Sequence, residues 1–199
     1  MKVLQINSGV FGDDSQSTSL ASSFIEKLKL ANSNLEITLR DVIAQPIPHL
    51  DANILSAFMT AEADRTEPQK YLAALSDQLI SEIKQADCIV LGLPMYNFGI
   101  PSQLKAYFDQ LARAGITFKY TETGPLGLLD DIPVYILAAR GGIHKGQASD
   151  SQTDFITTFF SFIGMNNVQF IYAEGLNMGV EVKETSIKTA IKSFETLIQ

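Results

Sequence analysis

Apolar and polar positions fall in alternating blocks along this chain, and the blocks change period. Lys2-Val3-Leu4-Gln5-Ile6-Asn7 is a short apolar run without turn formers and predicts a first strand. Ser8 to Asp14, which holds Gly9 and Gly12, predicts a loop. Ser15-Gln16-Ser17-Thr18-Ser19 opens a helix, because Ser and Thr hydroxyls cap first-turn N–H groups. Leu20, Phe24, Leu28 and Ala31 recur at helical spacing and predict one buried stripe. Leu35 to Asp41 switches to a period of two, the mark of a strand near a sheet edge. Pro46 and Pro48 break the chain, and Asp51 caps a short helix that runs to about Ala61. Glu62 to Glu67 is charged and predicts a surface loop. Pro68 starts a long helix with Leu72, Leu75, Leu79 and Ile83 on one face.

Cys88-Ile89-Val90-Leu91-Gly92-Leu93 is apolar throughout, as expected of a strand buried on both faces. Pro94 to Pro101 then turns into a helix that runs to Ala114. Gly115 to Tyr120 predicts a short strand and Thr121 to Pro125 a turn, an excursion before the next core strand, Val134 to Ala139. Arg140 to Gly146 is a further loop. Asp150 or Ser151 caps a helix that Gly164 ends, Val168 to Ala173 is a fifth core strand, and a last helix runs from about Val182 to Leu197. The alternation of strands and helices predicts an α/β protein. Its expected form is a doubly wound five-stranded parallel sheet of order 2-1-3-4-5, helices on both faces, as one domain over residues 1–199.

Composition removes several function classes. The chain has 199 residues, 46% hydrophobic and 19% charged, with a formal net charge of -7. An acidic balance argues against a general nucleic-acid binder. The apolar runs are too short to cross a bilayer, and no secretory signal pattern follows Met1, so a cytoplasmic protein away from membranes is expected. One cysteine, Cys88, permits no internal disulfide, and two histidines without paired cysteines make no zinc site.

In that topology the loops after strands 1, 3 and 4 converge at one end of the sheet, where open α/β proteins bind ligands. Ser15, Gln16, Ser17 and Thr18 offer hydroxyls and free N–H groups at a helix N-terminus, an anion site best suited to phosphate; taken alone, simple capping explains them better. Met95, Tyr96, Asn97 and Phe98 offer rings and an amide that suit a planar ligand, although such a turn also packs into many cores. Arg140, Gly141 and Gly142 let backbone N–H groups approach a flat ligand. Together they describe a planar heterocycle with a phosphate tail, and FMN fits. A dinucleotide fits less well, since Gly-x-Gly-x-x-Gly is absent, and the lack of Gly-Lys-Ser/Thr excludes a P-loop. Asp13-Asp14 and Asp130-Asp131 read as solvated loop charges.

These segments resemble those of the FMN-dependent NADH-azoreductases, a quinone-reductase-related branch of the flavodoxin-like fold. The resemblance rests on Ser15-Gln16-Ser17, Asp41 to His49 with Pro46-Ile47-Pro48, Pro94 to Phe98, Ala112 to Glu122, Arg140 to His144, and Phe162-Ile163-Gly164. It implies a homodimer with FMN sites at the subunit interface. Ser15, Gln16 and Ser17 would hold the phosphate, Met95, Tyr96, Asn97 and Phe98 the isoalloxazine, and Ala139, Arg140, Gly141 and Gly142 its far edge. The N–H groups of Gly141 and Gly142 would stabilise charge on the reduced ring. Gly9 and Ala139 stand where family members often carry serine, so two hydroxyl contacts are absent. The resemblance further implies ping-pong transfer from NADH or NADPH through FMN to quinones and azo compounds, with Tyr120 and Phe162 closing over the substrate. The alternative for Phe162 is plain core, since it shares a Phe-rich helix with Phe159 and Phe160. His144 is a candidate proton donor to the acceptor, with a structural hydrogen bond as its alternative. Two rival readings stand beside the enzyme: a flavodoxin-type single-electron carrier, and a flavodoxin-like binding module without flavin.

Overall fold

Runs that are apolar at every position become the centre of the sheet, and runs with helical spacing become the layers that cover it. In the computed structural model, which describes residues 1–198, the elements run β1 (Lys2–Asn7), α1 (Gln16–Ala31), β2 (Glu36–Asp41), α2 (Ala52–Met59), α3 (Glu67–Lys84), β3 (Cys88–Pro94), α4 (Ser102–Leu111), β4 (Phe118–Thr121), β5 (Gly124–Gly127), β6 (Val134–Ala139), α5 (Ser151–Ile163), β7 (Val168–Ala173) and α6 (Val180–Leu197). Five of the strands form one sheet of order β2-β1-β3-β6-β7, every pairing parallel, which is the expected 2-1-3-4-5 once the β4–β5 hairpin is set apart. β3 and β6 are buried at every position.

Two cores fill the two faces. On one, Leu4, Ile6, Ile89, Leu91 and Ile136 meet Leu79 and Ile83 of α3, Leu104 and Phe108 of α4, and Ile156 and Phe160 of α5. On the other, Val3, Val90, Tyr135 and Leu137 meet Leu20, Phe24 and Leu28 of α1 and Phe194 of α6. Register sets the functional end. Asn7 lies opposite both Asp41 and Gly92, Pro94 opposite Ala139, and Ala139 opposite Ala173. The chain therefore leaves β1, β3, β6 and β7 along one edge.

The structure departs from the sequence-based expectation in local ways. Ala31 is exposed, and Ala21 and Ile25 join Leu20, Phe24 and Leu28 in the α1 stripe. The alternation along β2 is not matched by alternating burial, since Glu36 to Leu39 are all exposed. Ile37 and Leu39 are exposed, while Arg40 is buried and bonded to Glu82 and Gln45, so a charged side chain takes the covered face of the edge strand. α2 stops at Met59, short of Ala61. The charged stretch after it is tied down: Glu62–Asp64 is a 3-10 turn, and the Arg65 Nε donates to the Ala57 and Thr60 carbonyls at 3.0 and 3.2 Å. α3 begins at Glu67, capped reciprocally by Thr66 and Gln69. α4 ends at Leu111 instead of Ala114. Thr117 accounts for this, since its hydroxyl donates to the Leu111 carbonyl at 2.6 Å and accepts the Arg113 N–H at 2.9 Å. The expected Gly115–Tyr120 strand is β4, shifted to Phe118–Thr121. The Thr121–Pro125 turn leads into a second strand, β5, that periodicity did not reveal.

Candidate functional site

α1 begins where β1 has delivered the chain to the sheet edge. Its first N–H groups, those of Gln16, Ser17 and Thr18, precede the first helical hydrogen bond, which is Ser19 N–H to Ser15 O at 2.9 Å. Ser15 takes the N-cap backbone position but does not cap with its side chain. Its Oγ accepts the Phe11 N–H at 3.1 Å instead and so closes the preceding loop. Ser17 is fully buried, and its hydroxyl has no partner among the described residues. A buried hydroxyl without a partner is costly. This one stands at a helix N-terminus, on a residue that lines the cleft described below.

The turn after β3 is tied to its neighbours on both sides. The Tyr96 hydroxyl accepts the Val10 N–H at 3.1 Å, which fixes the ring against the loop after β1. The Met95 N–H donates to the Ala139 carbonyl at 3.2 Å, which fixes the turn against β6. The loop after β6 is in turn bound to the loop after β7. Leu176 N–H donates to Arg140 O at 3.1 Å, Asn177 N–H to Gly141 O at 3.0 Å, and Gly175 N–H to Gly142 O at 2.9 Å.

A cleft of about 200 Å³ results, and it brings together Ser15, Gln16, Ser17, Met95, Tyr96, Ala139, Arg140 and Gly141. Phe11, Asp14, Pro94, Leu176 and Asn177 complete its lining. Sequence reasoning missed Leu176 and Asn177 because only the loops after strands 1, 3 and 4 were considered. The apolar run that predicted β7 also placed its C-terminal end beside β6, and that was the available signal. Other expected residues stand outside the cleft. Gly9 lies beneath Ser15, where an added Cβ would come within 2.4 Å of the Ser15 Cβ. Asn97 and Phe98 form the tip of the turn, with Phe98 exposed. Gly142 follows the lining in sequence. Tyr120 and Phe162 belong to a separate aromatic group around Phe118, whose ring is 5.4 Å from Tyr120 and 4.3 Å from Phe162 between centroids.

Arg140 reaches the cleft only through its backbone. Its side chain is fully buried, donating to Asp150 at 2.8 Å and to Glu174 at 3.1 Å, with its Cζ 5.0 Å from the centre of the Tyr172 ring. Burial pushes the Asp150 carboxyl up, but hydrogen bonds from Arg140 and Thr153 outweigh it and hold the group below its ordinary range. Glu174 Oε1 also accepts the N–H groups of His144 and Lys145, each at 2.9 Å, so one carboxylate shapes the whole loop after β6. At two of that loop's glycines an added Cβ would crowd the ends of neighbouring side chains. A Cβ at Gly141 would stand 2.5 Å from Asn177 Nδ2, and one at Gly142 would stand 2.8 Å from His144 Nε2. His144 Nδ1 pairs with the Ser149 hydroxyl at 2.9 Å, and its ring meets Phe98 edge-on at 5.8 Å.

The donors suit a phosphorylated planar ligand. The anion end offers a buried hydroxyl and backbone N–H groups and no free cationic side chain, since the Arg140 guanidinium is engaged below. A phosphate would be held by hydrogen bonds and the helix N-terminus, not by ion pairs. Among the described residues no group of His, Cys, Asp and Glu could hold a metal, and no helix is long and apolar enough to cross a membrane.

A parallel sheet of this order, with a cleft of free N–H groups at the start of α1 and an aromatic turn after β3, defines the class. The chain belongs to the flavodoxin-like fold family, whose model matches residues 1–198. More particular relatives narrow it further. The chain is 56% identical over 177 residues, 89% of each sequence, to an FMN-dependent NADH:quinone oxidoreductase of Cellvibrio japonicus (strain Ueda107). It is 53% identical over 190 residues, 96% of each, to a protein of the same name from Alcanivorax borkumensis. Among solved structures it resembles an azoreductase from Bacillus anthracis str. Sterne, with a TM-score of 0.90 at 27% identity over 100% of this chain and 98% of that one. It also resembles an FMN-dependent NADH-azoreductase from Bacillus anthracis str. Ames Ancestor in complex with FMN, with a TM-score of 0.87 at 28% identity and full coverage of both.

Proposed function

We propose that this chain is an FMN-dependent NADH:quinone oxidoreductase that also cleaves azo bonds, built as a single flavodoxin-like domain and acting in the cytoplasm as a homodimer. The observation that carries the reading is the buried, unpartnered Ser17 hydroxyl at the start of α1, facing the same cleft as Met95, Tyr96 and Gly141. The names of the relatives at 53–56% identity support an enzyme over a single-electron carrier or a flavin-free module. Bound FMN supplies the chemistry, accepting a hydride from NADH or NADPH and giving two electrons to a quinone or an azo bond.

The chain's own residues bind and orient. Ser17 Oγ and the N–H groups of Gln16 and Ser17 hold the phosphate, with Ser15 fixing the loop that precedes them. Met95, Tyr96, Asn97 and Phe98 line one side of the ring, with Tyr96 immobilised through its bond to Val10. Ala139, Arg140, Gly141 and Gly142 would present backbone to its far edge, and the N–H groups of Gly141 and Gly142 would stabilise negative charge there, since the Arg140 N–H already donates to the Ala173 carbonyl at 2.9 Å. Gly9 serves the site indirectly, by leaving room for Ser15. At His144, Ser149 engages Nδ1 and leaves Nε2 to carry a proton to the acceptor. Full quinone turnover in His144→Ala would remove that role.

The homodimer reading is supported by what one chain leaves open. Ligand pockets usually enclose about 300–1,000 Å³, more than the 200 Å³ here. Tyr120 is 77% exposed and Phe98 63%. A second chain that places Tyr120 and Phe162 over the cleft would enclose the substrate and exclude water. The test is an anaerobic titration of the purified, FMN-loaded protein with NADH. A single two-electron bleaching that a quinone reverses is expected, and a colourless protein after incubation with FMN overturns the reading. Ser17→Ala should weaken FMN binding about 10- to 100-fold, the range of a hydrogen bond to a charged group. An unchanged dissociation constant would move the phosphate elsewhere.

A further inference from the structure

The turn after β3 is held in a conformation that its sequence resists. Tyr96 and Gly99 exchange both backbone hydrogen bonds, at 3.1 and 2.9 Å, so Asn97 and Phe98 are the two central residues of a tight hairpin loop. Both have positive φ, 49° at Asn97 and 64° at Phe98. Loops of this kind strongly prefer Asn-Gly, because glycine enters the left-handed region freely. Asparagine tolerates it, but phenylalanine there is strained and persists only where its surroundings enforce it. The Phe98 ring does not do so, being 63% exposed.

The enforcing groups lie at the start of α5. Gln152 is fully buried, and its Nε2 donates to Pro94 O at 2.8 Å and to Gly99 O at 3.1 Å, the carbonyls before and after the turn. The Ser151 hydroxyl donates to the Phe98 carbonyl between them. Asp150 caps the same helix by accepting the Thr153 N–H at 3.2 Å, which fixes where these side chains start. Three carbonyls of one turn are thus held by two consecutive residues some fifty positions later in sequence.

We propose that Gln152 is a positioning residue: it holds the Asn97–Phe98 turn in its left-handed form and thereby sets how tightly the cleft binds flavin. The second half rests on the flavin reading of the cleft; the first rests on the turn alone. Amide hydrogen exchange of the full-length chain without added flavin tests the first half. Gln152→Met keeps the volume and removes both donors. Exchange at the Gly99 and Tyr96 amides should quicken at least tenfold, while the α5 amides beyond Phe155 stay within about twofold. In a Phe98→Gly background the same substitution should quicken exchange less than about threefold, because Asn-Gly adopts the turn unaided. A purely packing role for Gln152 would give equal effects in both backgrounds and overturn the proposal. Should Gln152→Met fail to fold, Gln152→Glu presents oxygens to the same carbonyls and is judged by the same contrast. FMN titration then tests the second half. A loss of about tenfold in affinity in Gln152→Met is expected, and faster turn exchange with unchanged FMN affinity overturns it. A wild-type chain that takes up no FMN overturns the reading of the cleft instead, a result distinct from the exchange measurement.

Discussion

Two buried arginines, Arg140 and Arg113, solve the same problem differently. Each is 1% exposed, and each has a buried nitrogen with no partner among the described residues, Nε in Arg140 and Nη2 in Arg113. Arg140 sits between two carboxylates that are themselves nearly buried, Asp150 at 7% and Glu174 at 13% exposure. Arg113 has a single carboxylate, Asp77, at 3.1 Å and 50% exposed, with Ser76 at 2.8 Å and the Phe58 ring 4.2 Å from its Cζ. Burial pulls the Arg113 guanidinium below its usual range, and Asp77 only partly restores it. Position explains the contrast. Arg140 lies under the cleft, where its carboxylates also shape the loops after β6 and β7. Arg113 anchors an excursion, since its carbonyl accepts the N–H groups of Ile116 and Thr117 at 3.1 and 2.9 Å just before β4. A charge inside a polar cluster organises several segments at once. A charge held by one exposed carboxylate, one hydroxyl and a ring ties the start of the excursion to α2 and α3.

Mutations can break that contrast. The largest effect is expected from Arg140→Met, which strands two buried carboxylates and should cost about 3–5 kcal/mol in urea unfolding. Arg113→Met leaves a carboxylate that water can reach, so about 1–3 kcal/mol is expected, with added hydrogen exchange confined to 112–127. Equal losses from the two substitutions would erase the distinction. Acid sharpens it. A carboxyl held below its ordinary range contributes stability that is full above about pH 4 and lost as pH falls through the lowered value. Asp150→Asn should therefore flatten the acid limb of the stability curve. Cys88 supplies the smallest signal. Burial, with Asp87 adding to it, pushes its thiol up to about 12, so alkylation at pH 8 should be negligible in the native chain. It should stay so in Arg113→Met if opening is local and rise in Arg140→Met if opening is global.

The contrast also marks what sequence could reveal. β3 and β6 were legible because burial on both faces demands an unbroken apolar run, and the strand order followed from right-handed connections. Ser15 to Ser17, Met95-Tyr96 and Gly141 reach one cleft and each displays its chemistry locally, whereas Asn97, Phe98 and Gly142, named with them, stand outside its lining. Nothing in Arg140 announces that its head turns away from the cleft, because its partners lie ten and 34 residues ahead. The β4–β5 hairpin was half hidden for a similar reason. Gly124-Pro125-Leu126-Gly127 has no strand pattern and is held by pairing with Phe118 to Thr121. In β2 the edge strand was legible, but its one covered residue, Arg40, was not, since its partner Glu82 lies on a distant helix.

Gly9 and Ser15 are pressed together. A Cβ on residue 9 would stand 2.3 Å from the Ser15 Oγ and 2.4 Å from its Cβ, so a side chain at position 9 fits only if Ser15 turns aside or the loop shifts. The Ser15 Oγ also holds the Phe11 N–H. A chain with serine at position 9 must therefore carry the loop before α1 along a different path from this one.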